Sequence, residues 1–187
     1  MNATGSLDLI DRHRSTLLLI DLQERLYPAI DEGASVLDND LALVRCAAQL
    51  GVPCVISEQY PQGLGPSVAA LREAAPDARV VHKTHFSCVA EGCLTQTAVD
   101  ARPQVVVGGT EAHVCVLQTV LDLLAIGKTV FVVADGIGSR TPQNKALAIE
   151  RMRSAGARIV SREMVLFEWL REAASDEFRR INREFIR

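Results

Sequence analysis

Residues 104–127 read QVVVGGTEAHVCVLQTVLDLLAIG. A short β-branched run comes first, then a turn through Gly108 and Gly109, then a helical pattern that stops at Gly127. A run this short and uniformly apolar predicts a strand buried on both faces, as in parallel sheets covered by helices. The two glycines permit a tight passage from strand to helix.

The same order recurs on either side. TLLLI (Thr16–Ile20) predicts a first strand. SVLDNDLALVRCAAQLG predicts the following helix, with Val36, Leu37, Leu41, Val44 and Ala48 as its apolar positions and Gly51 as its stop. VPCVIS (Val52–Ser57) and RVVH (Arg79–His82) predict the second and third strands, with a Gly/Pro-rich loop and a short helix near Val68–Ala74 between them. Gln104–Gly109 is the fourth strand, TVFVVA (Thr129–Ala134) the fifth and RIVS (Arg158–Ser161) the sixth. Thr141 and Pro142 are the N-cap and first residue of a helix running to Gly156. Two more helices are expected around Glu163–Ala173 and Asp176–Ile186. The alternation predicts right-handed crossovers and a three-layer α/β/α sandwich around a mainly parallel, Rossmann-like six-stranded sheet, with residues 1–187 as one domain.

Composition sets the functional bounds. A net charge of −3 gives no basic footprint for nucleic acid. The basic stretch EFRRINREFIR mixes Arg with Glu, which is the pattern of a solvated helix face. The N-terminus has no apolar secretory region, and no stretch approaches the roughly 20 apolar residues that span a bilayer. A cytoplasmic protein without membrane partners is expected. The five cysteines are odd in number and include no C-x-x-C pair, which argues against a disulfide framework and structural zinc.

In open α/β sheets, ligands bind beyond the carboxyl ends of the strands. Asp21 follows the first strand, Lys83 the third, and Cys115 lies on the turn after the fourth. A parallel sheet brings this carboxylate, ammonium and thiol to one edge. The thiolate is the nucleophilic form of cysteine, and a helix start and a neighbouring Lys both favour it. Asp21 is suited to take the thiol proton and return it to a leaving amine, with backbone N–H groups at the helix start holding an oxyanion. Each residue alone has an ordinary reading, as helix cap, solvated edge and core packing. The convergence carries the argument.

LLLIDLQERLYPAI, SEQYPQGLG, HKTHFSC and GGTEAHVCVLQTVLDLL together resemble the isochorismatase-like cysteine hydrolases, over roughly Ser15 to Met164. The EQYPQGLG loop and the Ser139–Arg140 pair resemble in particular the isochorismatase-domain proteins of bacteria and mitochondria. The resemblance implies an Asp–Lys–Cys triad at Asp21, Lys83 and Cys115. It implies a cis peptide between Thr110 and Glu111, which would aim the amides of Glu111 or Ala112, with Cys115, at the oxyanion. It also implies homo-oligomers. Nicotinamidases share the pattern but hold a metal through an Asp-x-His and a further His. Here the corresponding loop reads Glu58, Gln59, Tyr60, so neither a metal nor a cofactor is expected. Isochorismatases of siderophore pathways lack the nucleophilic cysteine, so Cys115 speaks against isochorismate as substrate.

Around the triad, Tyr27, Tyr60 and Phe86 are candidate pocket walls, and Gln23 and Glu58 candidate polar contacts to substrate. His82 and His85 flank Lys83 without metal-site spacing, and His113 is expected to hydrogen-bond within its turn. Cys88 and Cys93 read as loop and helix residues without function, and Trp169 as a seal on the core or an oligomer contact. The expected activity is hydrolysis of an amide-like C–N bond in a small molecule through a thioester. A non-catalytic oligomeric binding protein, and a thiol redox sensor acting through Cys115, are the rivals.

Overall fold

A computed structural model describes residues 9–186. Its sheet has six strands: β1 (Ser15–Ile20), β2 (Cys54–Gln59), β3 (Arg79–Lys83), β4 (Gln104–Thr110), β5 (Thr129–Gly138) and β6 (Arg158–Val160). They pair in parallel throughout, in the order β3-β2-β1-β4-β5-β6. The helices are α1 (Gly33–Leu50), α2 (Pro61–Leu64), α3 (Ala69–Ala74), α4 (Cys88–Glu91), α5 (Ala98–Ala101), α6 (Leu117–Ala125), α7 (Pro142–Ser154), α8 (Arg162–Leu170) and α9 (Asp176–Ile181). The chain winds outward from β1 through β2 to β3, then returns to β4 on the other side of β1. The strand order reverses between β1 and β4, which is where such sheets open a crevice.

Alternation along the strands explains the layers. Leu17 and Leu19 of β1, Val106 of β4 and Phe131 and Val133 of β5 face a core with α1, α8 and α9. Leu18, Ile20, Val105, Val107, Val130 and Val132 face a second core with α6 and α7. Each such aliphatic side chain contributes about 1.5–3 kcal/mol when fully buried. Trp169 seals the first core, its indole N–H donating to Ser15 Oγ at 3.0 Å.

Several boundaries differ from the sequence reading, each for a local reason. Lys83 is the last residue of β3 itself. β5 continues past Ala134 to Gly138, because an irregularity in the β4–β5 register between Val107 and Gly109 lets pairing resume at Ile137. α8 ends at Leu170, where Arg171 turns the chain with a positive φ of 66°. α9 gives way after Ile181 to a π turn, Asn182–Ile186. The short helices α4 and α5 have no counterpart in the sequence reading. Among the described residues, no helix is long and apolar enough to cross a membrane.

Candidate active site

β1 ends by placing Asp21 in the left-handed region, with φ of 51°. Aspartate tolerates that conformation better than most side chains. The turn is held by backbone bonds from Asp21 N to Ser57 O at 3.1 Å and from Gln23 N to Asp21 O at 2.9 Å, and by Thr110 Oγ1 donating to Asp21 O at 2.9 Å. The carboxylate is gripped at both oxygens. Ser57 Oγ donates to Oδ1 at 2.7 Å, and Lys83 Nζ donates to Oδ2 at 2.7 Å.

Lys83 reaches this point from the sheet edge. β3 exposes Arg79, Val80 and His82, yet the Lys83 side chain is wholly excluded from solvent. Its ammonium makes a second bond to Gln59 Oε1 at 2.6 Å. Burial alone would draw the lysine down. The Asp21 charge and its hydrogen bond overcome it and hold the ammonium above its ordinary range.

Cys115 sits, buried, in a π turn, Ala112–Val116, that leads into α6. Its thiol lies near enough to Asp21 and Lys83 to feel both charges. The expectation of a depressed pKa is overturned. Burial pushes the Cys115 thiol up, the charge of Asp21 adds to the rise, and Lys83 offsets only part. At rest this is a thiol with an acceptor beside it. The turn begins at Thr110–Glu111, whose peptide bond is cis, and Thr110, Glu111 and Ala112 are all buried. Glu111 Oε1 is bound at 2.6 Å by Nε of the largely exposed Arg140. His113 bonds outside its own turn, Nδ1 to Ser139 Oγ at 3.0 Å and Nε2 to Asn144 Nδ2 at 3.4 Å.

The structure thus brings Asp21, Lys83 and Cys115 together. The proposed substrate contacts separate into two groups. Gln23 is fully buried, with Nε2 donating to Gln59 O and Gly65 O and Oε1 accepting from Gln59 N. Glu58 is buried, with Oε1 accepting from Ser67 N and Oγ and Oε2 lying 3.2 Å from His82 Nε2. These bonds make both side chains hold the β2–α3 loop. Tyr27 packs against the α1-side core. Tyr60 and Phe86, beyond β2 and β3, remain 55% and 51% exposed. His85 is held by Glu91, whose carboxylate accepts from the His85 and Thr84 amides and closes the loop after Lys83. Ser57 and Gln59 were missed from the sequence. A serine ending the apolar run VPCVIS was the available signal, and its register opposite Ile20 explains its reach.

The isochorismatase domain model matches residues 15–164. The chain belongs to the isochorismatase family. It is 37% identical to the secreted isochorismatase effector Isc1 of Phytophthora sojae, over 97% of this chain and 89% of that protein. The solved structure of MAR1 ribonuclease from Caenorhabditis elegans superposes with a TM-score of 0.89 at 32% identity, covering 96% of this chain and 92% of that one. The YcaC product of Escherichia coli, described as an octameric hydrolase of unknown specificity, superposes with a TM-score of 0.89 at 25% identity, covering 97% and 92%. This isochorismatase-family hydrolase therefore shares its whole fold with relatives that carry quite different names.

Proposed function

We propose that this isochorismatase-family chain hydrolyses an amide-like C–N bond of a small molecule, with Cys115 as nucleophile, Asp21 as proton carrier and Lys83 as the fixed cation. The observation that carries the reading is the buried Lys83–Asp21 pair, with the buried Cys115 thiol within reach of both charges. A binding protein has no use for a nucleophile, a base and a cation sealed together.

Because the thiol is held above its ordinary range, its proton moves as attack occurs. Sγ bonds to the carbonyl carbon while Asp21 accepts the thiol proton. The amide of Glu111 or Ala112, with that of Cys115, holds the oxyanion. Collapse breaks the C–N bond as Asp21 passes the proton to the leaving nitrogen, and a thioester remains. Asp21 then takes a proton from water as it attacks. The C–S bond breaks, and the proton returns to sulfur. Lys83 keeps a positive charge beside Asp21 throughout, and Ser57 and Gln59 fix the positions of Asp21 and Lys83.

The ribonuclease name belongs to the nematode protein. The net charge of −3 here favours a small substrate over RNA. The octamer described for YcaC supports a homo-oligomer for this chain as well. The test is a panel of small amides assayed for amine release, with hydroxylamine added to trap the thioester. Wild type should release amine and yield a hydroxamate, and Cys115→Ala should do neither while remaining folded. Equal turnover by Cys115→Ala on a hydrolysed substrate would overturn the mechanism.

A further inference from the structure

The residues that leave β5 hold the Cys115 turn from outside. Gly138, the last residue of β5, pairs with Thr110, the last residue of β4, so the two strands release their loops side by side. Ser139 follows, buried, with its carbonyl accepting from Asp31 N at 2.9 Å. Thr141 caps α7, its side chain accepting from Asn144 N at 3.2 Å, and Pro142 opens the helix. Ser139 and Arg140 are therefore anchored on both sides.

From this base two consecutive residues reach two side chains of the turn. Arg140 Nε donates to Glu111 Oε1 at 2.6 Å, and Ser139 Oγ lies 3.0 Å from His113 Nδ1. Asn144, in the first turn of α7, brings Nδ2 within 3.4 Å of His113 Nε2. Stability does not explain the Arg140 bond. The Arg140 side chain is 59% exposed, and an ion pair so open to solvent contributes little to folding. Glu111 differs, with only 12% of its side chain exposed, so its carboxylate is committed to one direction. Its carbonyl is committed as well, accepting from Val114 N at 3.0 Å and Val116 N at 3.2 Å. The amides of Glu111 and Ala112 lie on the two sides of Glu111 Cα. With the side chain and the carbonyl both held, neither amide is free to turn. An oxyanion donor is effective when it is aimed before the charge develops.

We infer that Arg140 is a positioning residue for the oxyanion site, acting through the carboxylate of Glu111. The inference rests on the hydrolytic reading of Cys115. Arg140 touches no reacting atom. It ties the start of the nucleophile turn to the loop between β5 and α7, and the tie keeps the Glu111 and Ala112 amides in one orientation while the tetrahedral intermediate forms.

Two reactions of Cys115 separate this role from a general one. With p-nitrophenyl acetate, Sγ bonds to the carbonyl carbon, Asp21 accepts the thiol proton, and an oxyanion develops. The C–O bond then breaks, and p-nitrophenolate leaves. With iodoacetamide, Sγ bonds to a saturated carbon, iodide leaves, and no oxyanion develops. The experiment measures both rates at one pH in the full-length chain, by mass spectrometry of the peptide carrying Cys115, with Cys115→Ala as the blank. Arg140→Ala and Glu111→Gln should each slow acetylation about tenfold, short of the roughly 10²–10³-fold lost with a whole donor. Iodoacetamide alkylation should keep its wild-type rate in both. The double variant should be no slower than the slower single one, because both changes break the same bond. Arg140→Lys, which keeps a cation for Glu111, should recover most of the rate. Acetylation at the wild-type rate in Arg140→Ala would overturn the inference. So would an equal fall in both reactions, which marks a disturbed thiol, or losses that multiply in the double variant. A wild-type Cys115 that alkylates but is never acetylated would instead overturn the hydrolytic reading itself, and this inference with it.

Discussion

Lys83 Nζ stands 2.7 Å from Asp21 Oδ2, with neither side chain reaching solvent. Lys83 ends β3 and Asp21 follows β1, strands that are not neighbours, since β2 runs between them. Breaking a buried pair from one side leaves the other charge uncompensated, at a cost of about 3–5 kcal/mol. Lys83→Met and Asp21→Asn should each lose stability on that scale. The double variant should lose clearly less than the sum of the two, because no orphan charge remains. Urea unfolding of the four proteins measures the coupling, and additive losses would mean that the pair is energetically unlinked.

Cys115 gives a pH-dependent prediction with a definite sign. After burial, the Asp21 charge is the largest contribution raising this thiol. Wild-type Cys115 should therefore alkylate with iodoacetamide only at a pH above the ordinary cysteine midpoint of about 8.5. Asp21→Asn removes the charge, so the alkylation midpoint should move down. Turnover should vanish in the same variant, since the proton carrier is gone. A midpoint that stays put or rises would show that the carboxylate does not act on the thiol.

The layout of the site was legible because the apolar strands β1 and β4 are buried on both faces, and residues just beyond the ends of such strands stand at the sheet edge. The placing of Asp21 and Cys115 comes directly from that. β3 was harder to read because it is an edge strand with only Val81 and Lys83 buried, so its pattern is half polar and its last residue looked like loop. Ser57 and Gln59 depend on how β2 registers against β1 and β3, which no periodicity encodes. α4 and α5, four residues each, are too short to show a helical period. The rise in the Cys115 pKa was hidden for another reason. A helix start and a lysine are visible in a sequence, whereas the extent of burial is not.

Gly109 is required twice over. Its φ is 105°, outside the range that side chains favour, and a Cβ there would run into the backbone of Ile20. Gly109→Ala should add strain of about 1–2 kcal/mol to a steric clash that only separation of β1 from β4 can relieve. Asp21 and the Cys115 turn lie directly beyond those two strands. Gly51→Ala is the control, because Gly51 has a φ of 69° but nothing within 4 Å of a new Cβ. It should lose about 1–2 kcal/mol and no more. Equal urea midpoints for the two variants would show that the Ile20 contact relaxes freely.

Asp40 lies in α1 with neither carboxyl oxygen accepting a hydrogen bond, on ground cleared by two glycines, since a Cβ at Gly108 or Gly136 would meet its Oδ1. Burial, then the charge of Asp135, holds this carboxyl well above the usual carboxylate range, and the nearby Gly109 amide offsets only part. The folded chain therefore keeps a proton that the unfolded chain loses near pH 4. The stability tied to that proton is complete below the unfolded value and drains away as the pH rises toward the folded one. Asp40→Asn carries no such proton. The variant should match wild type near pH 3.5 and exceed it at pH 7 by about 1–3 kcal/mol, the scale of an unsatisfied buried polar group. Urea unfolding across that range is the measurement. A variant less stable than wild type at pH 7 would mean that Asp40 is held as a carboxylate by a partner worth more than its burial costs.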